Sequence, residues 1–241
     1  PLVPKIKNQS IISYLMNKPN SVAAEAVRNL RTSILMSDQN KSPQVIMFAS
    51  STPGEGKTIL SFSLAQNMVG LGKRVILIEA DLRRGGHSVY IDRKKTLSLL
   101  DILNNKKSFL DENHFVNELG FSILSGSKSS ANAADILSSI GFNKLLAELR
   151  EHFDYIIIDT PPVLAVPDAR VIGALTDANI YIVEWNKTSY AQIDQGLELF
   201  SNVGVHITGL VLNQIDLRKI KKYGYEGEYS YHSYGKEYHE S

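Results

Sequence analysis

Near-continuous runs of Ile, Val and Leu recur along this 241-residue chain and constrain its fold more than any other feature. Because their apolar residues do not alternate with polar ones, the runs predict strands covered on both faces, as in a parallel sheet. The six runs are residues 45–49, 75–78, 123–124 with their flanks, 155–158, 180–183 and 207–212. The helical spacing of apolar residues between them predicts helices over 58–71, 142–153 and 192–203. We therefore expect an α/β fold with a doubly wound, mostly parallel sheet.

Composition excludes several classes of protein. With 26 Lys plus Arg against 25 Asp plus Glu, the net charge is +1, which argues against a nucleic-acid-binding protein that works through bulk positive charge. The absence of cysteine excludes a disulfide scaffold, a Cys-ligated metal site and a thiol nucleophile, and it fits a reducing compartment. The apolar runs are shorter than the ~18–20 residues of a membrane-spanning helix.

Both ends of the chain depart from the alternation of strands and helices. Residues 21–36 have helical spacing, with apolar side chains on one face and charges on the other. After Ile220 the chain has no Leu, Ile, Val or Met, so it cannot bury enough aliphatic surface to offset its conformational entropy. We predict an N-terminal lead at 1–20, a domain at 21–213 that opens with a helix at 21–37, and a mobile tail at 214–241.

The strongest motif is Ser-Thr-Pro-Gly-Glu-Gly-Lys-Thr at residues 51–58, between a predicted strand and a predicted helix. This setting is typical of a phosphate-binding loop, in which glycines let successive N–H groups turn towards phosphate oxygens. Lys57 would reach the β- and γ-phosphates, and the Thr58 hydroxyl would bind Mg²⁺. The alternative is a glycine-rich turn with a surface lysine, since Ser51 replaces the consensus first glycine. We interpret the loop as a nucleotide site formed by Thr52, Pro53, Gly54, Glu55, Gly56, Lys57, Thr58 and Ile59.

Two predicted strands lead into acidic residues: one into Glu79-Ala80-Asp81-Leu82-Arg83, the other into Asp159-Thr160-Pro161-Pro162. The carboxyl ends of parallel strands meet beside a phosphate loop, where phosphoryl transfer needs metal ligands. We therefore expect Asp159 and Asp81 to hold Mg²⁺, and Glu79 to accept a proton from an incoming hydroxyl. Arg83 could steady phosphate charge or form a surface ion pair. An aspartate after a strand can also be only a cap or turn residue.

Together these motifs resemble those of the bacterial tyrosine kinases (BY-kinases), cytoplasmic domains attached to membrane proteins that control capsule and exopolysaccharide chain length and export. The resemblance runs from about Val22 to the C-terminus and covers the loop and both acidic strand ends. The family's second motif, Asp-x-Asp-x-Arg, begins here with Glu79. Glu184 stands where relatives often carry Arg.

The resemblance implies an ATP- and Mg²⁺-dependent protein-tyrosine autokinase that regulates capsule or exopolysaccharide polymerisation at the cytoplasmic face of the bacterial membrane. It also implies a P-loop NTPase fold like that of the chromosome-partitioning ATPases, whose extra loop lysine is Thr52 here. In that wider group Asn213 would contact the adenine base; a cap or turn role is the alternative. The implied partners are further copies of the chain in a ring of about eight subunits, a cognate tyrosine phosphatase, and a transmembrane activator joined through the lead at 1–20 or carried on a separate chain.

Six of the eleven tyrosines lie within sixteen residues of the tail. They are Tyr223, Tyr225, Tyr229, Tyr231, Tyr234 and Tyr238. The resemblance implies that they are the phosphoacceptors; the alternatives are an adhesive aromatic patch or a low-complexity tail. Residues 221–241 carry three Lys and four Glu, and each phosphate adds about −1.5 to −2 charges. Full phosphorylation would therefore make crowded tails repel one another.

Glu25, Arg28 and Arg31 lie at three-residue spacing on one side of the predicted N-terminal helix. Spacing alone favours a solvated face. The resemblance implies instead that they drive oligomerisation, with Arg side chains paired to carboxylates of the next subunit.

Two other functions compete with the kinase. One is a nucleotide-switched positioning ATPase of the partitioning type, which would hydrolyse ATP without phosphorylating protein. Thr52 and the tyrosine tail argue against it. The other is an inactive scaffold that binds ATP only to assemble, for which Glu79 would be the sign of lost chemistry.

Overall fold

All strand pairings in the described part of the chain are parallel, and they form one sheet. The computed structural model describes residues 2–4, 14, 17–38, 40–83, 97–104, 120–126, 133–216 and 219. The strands are β1 Leu2–Pro4, β2 Val45–Ser50, β3 Val75–Glu79, β4 Leu97–Ser98, β5 Ser122–Ser125, β6 Tyr155–Asp159, β7 Ala178–Glu184 and β8 Gly209–Ile215. Their order across the sheet is β1-β8-β7-β2-β6-β3-β5-β4. The predicted doubly wound parallel sheet is therefore confirmed.

Seven helices lie within these described ranges. They are α1 Val22–Leu35, α2 Lys57–Val69, α3 Leu99–Leu103, α4 Ala133–Leu137, α5 Ile140–His152, α6 Asp168–Gly173 and α7 Tyr190–Ser201. A serine caps each of α1, α5 and α7: Ser21, Ser139 and Ser189 accept a hydrogen bond from the N–H three residues on, which satisfies a backbone donor that the first turn leaves free. No helix of the described residues has the length and apolarity needed to cross a bilayer.

Strand β2 shows why the central strands are apolar throughout. Val45, Met47 and Ala49 point into a core formed with α3 to α7 on one face of the sheet. Ile46 and Phe48 point into a second core formed with α1 and α2 on the other face. All five side chains are fully buried, because successive side chains of a strand project to opposite faces and both faces are covered.

The strand order brings three loops to one edge of the sheet. β6 lies between β2 and β3, with Phe48 opposite Asp159 and Glu79 opposite the same aspartate on the other side. The segments that follow β2, β6 and β3 therefore begin side by side at the carboxyl ends of the strands, the usual place for a ligand in such sheets.

The six strands and four long helices predicted from the sequence are present, with ends shifted by at most three residues. The elements that were not predicted are β1, β4, α3, α4 and α6. Each has two to six residues, too few for an apolar period to stand out.

The sheet extends beyond both of the predicted domain limits, which corrects them. β1 pairs with β8, with Leu2 opposite Leu212 and Pro4 opposite Ile215, so residues 2–4 belong to the domain rather than to a lead. Ile215 is buried at the end of β8, so the tail cannot begin at 214. All six tail tyrosines lie outside the described residues, as does most of the predicted lead.

Candidate nucleotide and metal site

The loop between β2 and α2 turns on two glycines in the left-handed region. The φ angle is 88° at Gly54 and 96° at Gly56, conformations that cost a residue with a Cβ. A Cβ at residue 56 would also overlap the side-chain amide of Asn213. Gly56 is the N-cap of α2, so the free N–H groups of the first helical turn lie next to the loop. The backbone is therefore that of an anion-binding loop.

Lys57 is the first residue of α2 and is 7% exposed. Its Nζ donates to the Ser50 hydroxyl at 2.6 Å, which places the ammonium group at the end of β2 where the loop begins. A buried ammonium is expensive unless it is paired. The alternative of a turn with a surface lysine is therefore wrong.

Thr58 and Asp159 meet across the loop, and their arrangement fits a divalent cation. The Thr58 hydroxyl donates to Asp159 Oδ2 at 2.6 Å. Oδ1 of Asp159 is buried and has no hydrogen-bond partner among the described residues. Burial raises the pKa of Asp159 to about 6, an effect that Asp81 reinforces while Lys57 and Thr58 oppose it. A buried carboxylate oxygen with nothing to bind is a natural ligand for a hard cation such as Mg²⁺.

Glu79 ends β3 and is 4% exposed. Its Oε2 accepts a hydrogen bond from the Gly126 N–H at 3.3 Å, so the side chain reaches across to the end of β5. A Cβ at residue 126 would lie 2.8 Å from the Glu79 carbonyl oxygen, and only glycine allows this approach. Asp81, two residues on, is half-buried and accepts from the Arg83 N–H at 3.3 Å.

Arg83 forms an ion pair with Asp168, a residue that the sequence analysis missed. The guanidinium donates from Nε and Nη2 to the two carboxylate oxygens at 3.1 and 3.2 Å. Asp168 is fully buried at the start of α6, whereas the Arg83 side chain is 40% exposed, so the ion pair considered above exists and is buried on its carboxylate side only. The pair connects the segment after β3 to the segment after β6. It therefore helps to fix the position of Asp81 relative to Asp159.

Glu55 points its side chain into the protein. It is fully buried; Oε2 accepts from the Thr52 N–H at 2.7 Å and Oε1 from the Thr188 hydroxyl. Glu55 can therefore serve a nucleotide only through its backbone, while its carboxylate braces the loop. Of the other predicted loop residues, Pro53 and Gly54 are exposed, and Thr52 and Ile59 are half-buried.

The last residues of β8 brace the loop from the other side. The Asn213 side chain donates to the Glu55 carbonyl at 2.8 Å, and the Gln214 side chain donates to the Gly54 carbonyl at 2.8 Å. Asn213 lies inside β8 and is 5% exposed, so the cap or turn role considered for it is wrong. Its contact with adenine stays a prediction.

Ser51, which replaces the consensus glycine, connects the loop to β7 and α7. Its hydroxyl lies 2.7 Å from that of Tyr181 and donates to the Gln192 carbonyl at 3.1 Å. Burial raises the pKa of Tyr181 to about 12, so the phenol stays protonated. With the Ser51 proton directed at the Gln192 carbonyl, the phenol is the group left to donate between the two hydroxyls. No motif in the sequence marks Tyr181, because a tyrosine in an apolar strand is ordinarily a packing residue.

The predicted oligomerisation residues lie on α1, away from this site, and make contacts within the chain. Arg28 donates to Glu25 Oε2 from Nε at 2.8 Å and from Nη2 at 2.5 Å, and to the Pro19 carbonyl at 2.8 Å. Arg31 donates to Asn67 Oδ1 at 2.5 Å. All three predicted residues are half-buried.

Residues 43–214 match the family model described as an AAA domain. The chain is 31% identical to the tyrosine-protein kinase YwqD of Bacillus subtilis over 88% of this chain and 90% of that protein. It is 33% identical to a putative tyrosine-protein kinase in the cps region of Klebsiella pneumoniae, of which it spans 28%, and it covers a similar fraction of other long relatives. The kinase domain of the Escherichia coli tyrosine kinase ETK superposes with a TM-score of 0.77 at 26% identity, covering 90% of each chain.

Proposed function

This chain belongs to the bacterial tyrosine-protein kinases, and we propose that it transfers the γ-phosphoryl group of ATP to tyrosines of its own C-terminal segment, between subunits. One observation carries the proposal: the Thr58–Asp159 pair, with an unpartnered carboxylate oxygen, lies beside a phosphate loop and the buried Lys57. Positioning and electrostatic stabilisation by such groups account for most of the catalysis of phosphoryl transfer.

The residues present fit Mg²⁺ as the metal partner of the nucleotide. Thr58 and Asp159 would hold it, with Asp81 as a further carboxylate close enough to raise the pKa of Asp159. No cluster of three His, Cys, Asp or Glu exists among the described residues, which suits an ion that takes few ligands from protein and the rest from phosphate and water. Bound there, Mg²⁺ would neutralise charge on the transferring phosphoryl group.

The transfer conserves atoms and charge as follows. The tyrosine oxygen forms a bond to the γ-phosphorus, the bond to the β,γ-bridging oxygen breaks, and ADP leaves. The phenolic proton passes to a carboxylate, which we assign to Glu79 because that residue lies opposite Asp159 at the neighbouring strand end. Its hydrogen bond from Gly126 fixes one oxygen of the longer side chain.

The phosphoacceptors that we propose are the six tail tyrosines. β8 ends at Ile215, next to the residue that contacts Gly54, so the tail leaves the domain beside the phosphate loop. Tyr223 is eight residues further on, a span of at most roughly 29 Å, so a tail could enter its own site or a neighbour's. Mixing Lys57→Met protein with active protein whose six tail tyrosines are Phe distinguishes the two. Phosphate on the Lys57→Met chain supports transfer between subunits, and its absence argues for transfer within one chain.

We further propose self-association through α1. The Arg28 and Arg31 side chains would exchange their partners within the chain, Glu25 and Asn67, for carboxylates of a neighbour, in a ring of about eight subunits by family resemblance. Light scattering should show Arg28→Ala with Arg31→Ala as monomers. An unchanged mass would reject this interface.

The cellular setting is proposed from the relatives. The Klebsiella pneumoniae relative lies in a cps region, which supports a role in capsule or exopolysaccharide polymerisation and export. We propose that the chain works at the cytoplasmic face of the membrane with a transmembrane activator and a tyrosine phosphatase.

The decisive experiment is a mass spectrum of the protein after incubation with ATP and Mg²⁺. We expect phosphate on tail tyrosines of the native protein and none on Lys57→Met. ADP release without protein phosphate would instead indicate a positioning ATPase, and neither product would indicate a scaffold.

A further inference from the structure

Lys187 is a second cation beside the phosphate loop, contributed by the segment between β7 and α7. Its Nζ is the nearest atom to the position that a Cβ on Gly54 would occupy, at 3.6 Å. Its side chain is 60% exposed and pairs with Glu184 Oε2 at 2.7 Å. Lys57, by contrast, is buried where the loop joins α2. The two ammonium groups therefore flank the loop from inside and outside.

The backbone that carries Lys187 is fixed to the loop by its neighbours. The Thr188 hydroxyl donates to Glu55 of the loop, and the Thr188 N–H donates to the Glu184 carbonyl at 3.1 Å. The Trp185 N–H donates to the Asn213 carbonyl at 2.9 Å. The only long, exposed side chain that this turn directs at the loop is that of Lys187, within the part of the chain that the structure describes.

We propose that Lys187 binds the terminal phosphate of ATP while it remains beside Glu184; this inference rests on the proposed nucleotide site. The inner phosphates would be met by the loop N–H groups and by Lys57. The outermost phosphate lies towards the exposed rim, where a mobile ammonium group can reach it. The Lys187 ammonium group has three N–H donors, so it can keep its contact with Glu184 and still donate a charge-assisted hydrogen bond to a phosphate oxygen.

The proposal explains two departures in the sequence. Thr52 supplies no charge inside the loop, and Lys187 supplies it from outside. Glu184 is an anion only 10% exposed beside an anion site, which is unfavourable unless a cation accompanies it. Glu184 is then a positioning residue that keeps the Lys187 ammonium group at the rim of the loop when no nucleotide is bound.

Equilibrium binding of ATP and of ADP to the purified chain, in Mg²⁺ buffer, tests the assignment without relying on catalysis. Lys187→Gln should weaken ATP about tenfold and ADP by less than about threefold, since a charge-assisted contact to one phosphate is lost. Lys187→Arg should retain most of the affinity for ATP. Glu184→Gln should tighten ATP slightly, because it removes the neighbouring anion. Lys144→Gln, on the exposed face of α5, is the charge-matched control.

The proposal is overturned if Lys187→Gln and Lys144→Gln have the same ratio of ATP affinity to ADP affinity. That result would mean that Lys187→Gln weakens neither nucleotide or weakens both equally. If Lys187 only neutralised Glu184, the double Gln variant would restore native affinity for ATP, which also overturns it. Failure of the kinase proposal has a different readout. The native protein would then bind ATP more tightly than ADP but would carry no phosphate on its tail after incubation with ATP.

Discussion

The Thr58 hydroxyl donates to Asp159 Oδ2 over 2.6 Å, although the two residues are 101 positions apart in the chain. Thr58 belongs to the first turn of α2 and Asp159 to the last position of β6. The contact exists because β6 is the direct neighbour of β2 in the sheet. It leaves the other carboxylate oxygen buried without a partner, an arrangement that costs stability unless a cation occupies the site.

Asp159→Asn should separate stability from activity. Asparagine still accepts the Thr58 hydroxyl but removes the unpaired anionic oxygen, so the melting temperature without nucleotide should equal or exceed that of the native protein. Tail phosphorylation should fall by about 100-fold or more, since a metal ligand is lost. Thermal unfolding and mass spectrometry measure the two effects, with Asp194→Asn on the exposed face of α7 as the control. Activity within threefold of native would contradict the assignment.

Gly56→Ala should lower the free energy of unfolding by more than the backbone strain of a positive φ alone. Residue 56 has φ 96° and its Cβ would overlap the Asn213 amide, whereas residue 72 has φ 73° and open space around it. Gly72→Ala should lower the unfolding free energy by ~1 kcal/mol from backbone strain. Gly56→Ala should lower it by ~1–3 kcal/mol more, because packed atoms must move, and should abolish ATP binding. Chemical denaturation measures the unfolding free energy of both variants. Equal decreases would mean that the loop shifts to accept the methyl group at residue 56 with no further loss of stability.

Asp168→Asn tests the ion pair that holds the second motif. It leaves the Arg83 guanidinium facing an amide and should lower the unfolding free energy by ~1.5–3 kcal/mol, as expected for lost hydrogen bonds between charged groups, because Asp168 is fully buried although the Arg83 side chain is 40% exposed. The matched control is Asp154→Asn, whose partner Arg74 is largely exposed; that loss should be below ~1 kcal/mol. We also expect Asp168→Asn to need more Mg²⁺ for half-maximal phosphorylation, since the segment carrying Asp81 is freed. An unchanged Mg²⁺ requirement would restrict Asp168 to a structural role.

Asp177 should make stability depend on pH. Burial alone would raise the pKa of this carboxyl, but hydrogen bonds from Arg150 and from the Val45 and Gln44 N–H groups outweigh burial and lower it below its ordinary value of 3.8. A lowered folded-state pKa contributes stability above pH 3.8 that is lost as the pH falls through the folded-state pKa. Asp177→Asn should therefore cost ~1–3 kcal/mol at pH 7, and the difference from native should shrink towards pH 3. A difference that is the same at both pH values would show that the charge is not what stabilises the contact.

The sequence predicted this fold well because its central strands are apolar throughout and alternate with helices that have an apolar face. The sequence indicates Lys57, Thr58 and Asp159 as site candidates because a glycine-rich loop and an acidic strand end each have a local pattern. The structure places Thr58 against Asp159, and their binding of a nucleotide and Mg²⁺ stays a prediction. Asp168 and Thr188 were missed, since nothing near either residue in the chain indicates its partner, which is 85 positions away for Asp168 and 133 for Thr188. The same holds for the role of Glu55: its place in the loop suggested a nucleotide contact, whereas tertiary packing turns its side chain inward.

Tyr181 and Gly196 should be coupled, since they share the space behind the phosphate loop. A Cβ at residue 196 would overlap the Tyr181 hydroxyl, with the ring carbon Cζ at 3.0 Å and Val163 Cγ1 at 3.3 Å. Ala is ordinarily better than Gly inside a helix by ~1 kcal/mol, so a destabilising Gly196→Ala would report the overlap. Tyr181→Phe alone should cost ~1 kcal/mol for the lost hydrogen bond to Ser51 and should weaken ATP binding a few-fold by loosening the loop.

In the Tyr181→Phe background, Gly196→Ala should be less harmful, because the overlapping oxygen is gone. A double-mutant cycle from chemical denaturation should give a coupling of ~1 kcal/mol or more. Additivity within ~0.3 kcal/mol would mean that α7 moves to accept the methyl group. In that event the close packing of Gly196 on Tyr181 does not hold Ser51 in place.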